Sequence, residues 1–133
     1  MDKKIRITVY DLERLEELLR IARNQGRRYI KLEKKLEDAE VFFSYDIPAN
    51  VVTMNSRILV KNRDTDQEKF VQVVFPAEEN LDQGMLSILS PAGIALIGCK
   101  AGDVVQWKEP SGLKTLKIEE VAYQPESVGE IYT

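Results

Sequence analysis

The sequence contains no histidine and a single cysteine, and its longest uninterrupted apolar run is the four residues Ile94 to Ile97. Each shortage excludes something. Without histidine the commonest general base and a usual zinc ligand are missing, and a lone thiol, Cys99, can neither close an intramolecular disulfide nor supply a cysteine pair to a metal. The apolar run falls far below the roughly 18 residues of a membrane span. The opening MDKKIRITVY has charges with no apolar block behind them, so no secretory signal is expected. There is no phosphate loop of the GxxxxGK type, no internal repeat and no low-complexity segment. The glycines of "GCKAGD" are spaced to end a helix rather than to cradle a phosphate. The expectation is a cytoplasmic protein that is not an enzyme and binds no cofactor or metal.

What is present is ordinary in bulk and uneven in distribution. A chain of 133 residues, 44% hydrophobic and 31% charged, has room for one core and an appendage. Residues 1–45 carry 11 Lys and Arg against 9 Asp and Glu, whereas residues 46–133 carry 8 against 13. The net charge of −3 therefore hides a basic N-terminal part and an acidic remainder. Overall acidity argues against broad or sequence-specific nucleic-acid recognition, leaving at most weak DNA binding.

The hydrophobic period divides the chain at the same place. Leu12, Leu15, Leu18, Leu19 and Ala22 keep helical spacing, with Glu13, Arg14, Glu16, Glu17 and Arg20 on the other face; Asp11 or Thr8 can cap the start. After Gly26, the residues Tyr29, Leu32, Leu36, Ala39 and Phe43 repeat that spacing. Two apolar stripes joined by a few residues predict an antiparallel helical hairpin over residues 1–46. Its tip, "RNQGRR", presents Arg23, Arg27 and Arg28 and no carboxylate; the nearest acids are Glu17 and Glu33 on the helical flanks.

From Pro48 the period shortens to two. Met54, Ser56, Ile58 and Val60 predict one strand, and Val71, Val73 and Phe75 a second that Pro76 ends. Further strands are expected at Met85–Leu89, Val104–Lys108 and Leu113–Val121, the last two joined by a turn at "EPSG". Between them "SPAGIALIGCKAGD" predicts a short helix with Ser90 as its cap, Pro91 in its first turn, and Gly98 and Gly102 ending it. The fold class is α+β: an antiparallel sheet of about five strands over one helix, spanning residues 47–133. Trp107, at an alternating strand position, is expected to be buried rather than an interface aromatic.

The stretches "VVTMNSRI", "LSILSPAGIALIGCKAGDVVQW" and "VAYQPESVGEIY" resemble the Rnk family, bacterial regulators of nucleoside diphosphate kinase that are similar to the transcript-cleavage factors GreA and GreB. The resemblance runs from about Asn50 to the end. It implies an FKBP-like C-terminal domain docked on RNA polymerase at the rim of its secondary channel, with the N-terminal hairpin, a short coiled coil, projecting inward.

By the same resemblance Ser90 and Pro91 occupy the place of a Ser-Pro that touches a polymerase coiled coil, with Leu89 standing where relatives often have a polar or acidic residue. Gre hairpins end in a pair of acids that hold a catalytic Mg²⁺; the arginine tip here departs from that pattern, and helix one, about 14 residues from Asp11 to Asn24, projects only about 21 Å. The function so implied is a monomeric polymerase-binding transcription regulator that competes with Gre-type factors without stimulating cleavage. An FKBP-like fold also raises an alternative, a peptidyl-prolyl isomerase, whose pocket would have to come from Phe70, Phe75, Trp107, Tyr123 and Tyr132. A nucleic-acid-binding module is a third reading, disfavoured by the acidity.

Overall fold

The computed structural model describes residues 4–130. Helix α1 runs Val9–Asn24, and the Thr8 hydroxyl accepts from the Asp11 amide at its start. Of the two caps the sequence allows, Thr8 is used, and Asp11 is buried for another purpose. Leu15, Leu19 and Ala22 form the buried stripe, as the spacing required.

Helix α2 is shorter than its apolar stripe implied. It spans Ile30–Glu37, buries Leu32 and Leu36, and stops at Asp38. Residues Glu40–Phe42 instead form strand β2, which pairs in parallel with β1, Arg6–Thr8. The backbone explains the departure: the Glu40 N–H donates to the Ile5 carbonyl over 2.8 Å, and the run Val41-Phe42-Phe43 is β-branched and aromatic. Phe43 is 58% exposed and stacks on Tyr45, with ring centroids 5.5 Å apart, so it belongs to no buried helical face.

The larger sheet holds β3 (Arg57–Asn62), β4 (Glu68–Val74), β5 (Met85–Ser87), β6 (Val104–Glu109) and β7 (Gly112–Tyr123). Their spatial order is β5-β4-β3-β7-β6. The expected five strands are present, but β5 runs parallel to β4, because the segment from Phe75 to Gly84 carries the chain back through two 3-10 turns before it rejoins the sheet. The strand expected from Met54 begins only at Arg57. Thr53 to Ser56 form a tight turn with Asn55 at φ 68°, closed by the Ser56 N–H on the Thr53 carbonyl. β6 and β7 meet at Pro110 and Ser111, where the turn was expected.

Helix α3, Pro91–Leu96, packs over β6 and contributes the fully buried Leu96. A continuous apolar cluster joins Leu15, Leu19 and Leu32 of the first two helices to Ile58, Val60 and Ile118 of the sheet. Among the described residues no helix is long and apolar enough to cross a membrane.

Candidate functional site

The loop into α3 is fixed by short-range hydrogen bonds. The Ser90 hydroxyl donates to the Ser87 carbonyl (2.6 Å) and accepts from the Gly93 N–H (3.1 Å), while the Ser87 hydroxyl accepts from the Leu89 N–H (3.1 Å). Gly93 has no substitute here, since any Cβ would overlap the Ser87 carbonyl oxygen. Pro91 projects from this scaffold into solvent. Ser90 is thus a cap whose side chain is engaged at both ends, and Pro91 is the accessible member of the pair.

The tip is less free than its sequence suggested. Glu33, one turn into α2, takes a two-pronged hydrogen bond from Arg28 (3.1 and 2.9 Å) and lies 3.9 Å from the Arg23 guanidinium. The Arg28 hydrogen bond holds the Glu33 carboxyl below its ordinary range. A carboxylate therefore reaches the tip from the flank and partners two of the three arginines. Arg27, exposed like the rest of the turn, has no ion pair among the described residues.

Two side chains tie the first helices to the C-terminal part: Lys35, which the sequence did not single out, and Asp11, which it offered only as a cap. Lys35 on α2 extends its ammonium to the carbonyls of Ile94 (2.6 Å), Ala95 (3.1 Å) and Ile97 (3.4 Å), covering the C-terminal end of α3 with positive charge. Burial holds its pKa below the ordinary lysine value, with the nearby Cys99 thiol acting in the opposite sense. Asp11 on α1 accepts from the Met54 N–H (3.0 Å) and from Arg14 (3.1 Å). Burial pushes the Asp11 carboxyl up against those two partners. Thr53 then donates to Glu126 (2.7 Å), whose carboxyl is also raised by burial. No sequence pattern announces these contacts, because they join positions as far apart as 73 residues.

Two aromatic residues of the isomerase alternative are each covered by an arginine. Phe70 lies beneath the Arg57 guanidinium at 4.0 Å and Phe75 beneath that of Arg14 at 4.6 Å. Trp107 is half-buried rather than buried; it lines a groove between α2 and β6 and donates its indole N–H to Glu109 (2.8 Å). Tyr132 lies outside the described residues. Among the described residues no cluster of three or more Cys, Asp and Glu side chains is arranged to hold a metal ion.

A helical N-terminal part, a mixed sheet and a Ser-capped helix with Pro in its first turn are the features to set beside known proteins. The family "Transcription elongation factor, GreA/GreB, C-term" matches residues 47–123, and this chain belongs to it. The regulator of nucleoside diphosphate kinase from Escherichia coli (strain K12) is 35% identical over 100 residues, 74% of each chain. Transcription elongation factor GreA of Beijerinckia indica is 38% identical over 101 residues, 76% of this chain and 64% of that one. Among solved structures, a GreA/GreB elongation factor from Nitrosomonas europaea superposes with a TM-score of 0.77 at 36% identity, covering 90% of this chain and 100% of that one. These relatives are regulators or transcription factors by name.

Proposed function

We propose that this protein binds RNA polymerase at the rim of its secondary channel through Pro91 and the Ser90-capped start of α3, and regulates transcription by occupancy. Membership of the GreA/GreB family supports the kind of partner. The tip carries the rest of the reading. A cleavage factor must bring free acidic ligands to a catalytic Mg²⁺. The turn here offers Arg23, Arg27 and Arg28, and the one carboxylate within reach, Glu33, is held by Arg28 and Arg23. The arm is also short: α1 has 16 residues, about 24 Å at 1.5 Å per residue. We read the C-terminal part as the FKBP-like docking domain and residues 1–46 as the arm. The protein then acts in the cytoplasm as a non-catalytic competitor of Gre-type factors.

The test is a stalled, backtracked elongation complex. This protein alone leaves transcript cleavage at its intrinsic rate, and added with a GreA factor it slows cleavage until excess GreA restores it. Stimulated cleavage by this protein alone sinks the proposal, as does failure to compete at saturating concentration.

A further inference from the structure

The groove between α2, α3 and β6 encloses about 1060 Å³ and adjoins a second hollow of about 580 Å³ that shares Lys4, Ile5 and Val105 with it. Its floor is apolar, built from Tyr29, Ile94, Ala95, Val105 and the half-buried Trp107. Exposed Ile30 and Pro91 stand at its lips. Its charge is one-sided: five lysines line it against a single acid, Asp38, in a protein whose net charge is −3.

We propose that this groove is a docking surface for an acidic amphipathic segment of a partner protein, a helix with an apolar face flanked by Asp and Glu. The groove shares Pro91 at its lip with the polymerase reading, but the proposal concerns a different occupant and does not depend on that reading. Charge complementarity and the apolar floor select the occupant together. A helix laid into the groove covers Trp107 and Ile94 with its apolar face and sets its acids against Lys31, Lys34 and Lys108 on the two walls. A small polyanion such as a nucleotide is a poorer fit. The exposed lysines come from three separate segments, one before β1, one on α2 and one on β6. The single half-buried lysine, Lys35, already has its ammonium on the carbonyls of Ile94, Ala95 and Ile97. Phosphate groups would therefore meet only solvated ammonium ions, and the apolar floor would stay wet.

Trp107 is the only tryptophan, which makes its emission a reporter of the groove. The probe is a synthetic peptide of about 18 residues, five helical turns, with Leu at helical spacing and Glu between. Saturable change in Trp107 emission is expected with this peptide, about tenfold weaker or more with the Lys version of the same pattern, and weakened to a similar degree in the K31E/K34E/K108E variant, because three rim pairs reverse sign. Those three side chains are exposed, so the variant keeps its native circular dichroism; Lys35 is left alone because it holds α3. Calorimetry repeats each titration independently of fluorescence. No binding of the Glu peptide by either readout overturns the proposal, as do equal binding of the Lys peptide and displacement of the Glu peptide by ATP at matched ionic strength. No polymerase is present, so the polymerase reading stands or falls separately, on the cleavage competition.

Discussion

Lys35 Nζ lies 2.6 Å from the carbonyl oxygen of Ile94, 59 residues away in the chain. This contact joins helix α2 to helix α3, and it supplies a cation where α3 leaves its last carbonyls unsatisfied. Replacing Lys35 with Ala removes the donor from three half-buried carbonyls and should cost about 2 kcal/mol. Urea denaturation of K35A measures it, and a midpoint equal to wild type would mean that water substitutes fully for the ammonium.

Ser90 is bonded at both ends of its hydroxyl and Pro91 is exposed, so their variants should separate. Ser90→Ala removes the cap of α3 and should lower stability by about 1 kcal/mol. Pro91→Glu leaves the cap intact, changes stability by less than about 0.5 kcal/mol, and reduces affinity for core RNA polymerase. A pull-down paired with thermal melts reads both; a P91E protein that binds polymerase as well as wild type removes Pro91 from the interface.

At the tip, converting Arg23, Arg27 and Arg28 to Glu should weaken polymerase binding, and the loss should shrink as salt rises because exposed charges are screened beyond roughly 10 Å at 0.1 M. Glu33→Gln works the other way. It frees Arg28 and Arg23 from their shared carboxylate and should strengthen binding at low salt. Affinities that ignore both changes would leave the arginines as a solvated surface.

Glu126 gives the stability a pH dependence of definite sign. Burial raises its carboxyl above the ordinary value, so the folded state holds the proton more tightly than the unfolded chain does. Its contribution is full below the unfolded pKa and is lost as pH rises through the folded value. Asp11, raised for the same reason, acts in the same direction. Glu126→Gln keeps an acceptor for Thr53 without the ionisation. Its melting temperature should match wild type near pH 4, where the carboxyl is largely protonated, and exceed it increasingly as pH rises toward neutrality. A constant difference across that range would mean that Glu126 ionises at no cost to the fold.

The parts of this structure legible in the sequence are those written in short-range chemistry. Ser90 before Pro91 specifies the start of α3, the apolar spacing of Leu15, Leu19 and Ala22 specifies the buried face of α1, and Pro110 with Gly112 specifies the last hairpin. The failures are equally specific. Ala39 and Phe43 continue a helical period that the backbone does not follow, because the Glu40 N–H finds a partner in Ile5, 35 positions earlier. Met54 and Ser56 alternate like a strand, although Asn55 turns the chain through a left-handed conformation that Asn tolerates better than most residues. The direction of β5 depends on how ten residues of connection fold, which no alternation of side chains encodes. Arg23 and Arg28 looked unopposed because Glu33 reaches them across a turn whose geometry is not in the spacing. The basic groove was invisible for a related reason: its lysines come from three segments that become neighbours only after folding.

The parallel pairing of Arg6–Thr8 with Glu40–Phe42 makes the two helices a closed cassette. Chain enters and leaves it on adjacent strands held in one register, and the Arg6 N–H is tied in turn to the Gly98 carbonyl beside α3. Insertions or deletions of whole helical turns near Gln25 to Tyr29 change the arm's length without disturbing that clasp. A cut inside either strand would orphan the other. The clasp therefore sets where the hairpin stands against the rest of the fold, and the number of helical turns beyond it sets only how far the tip extends.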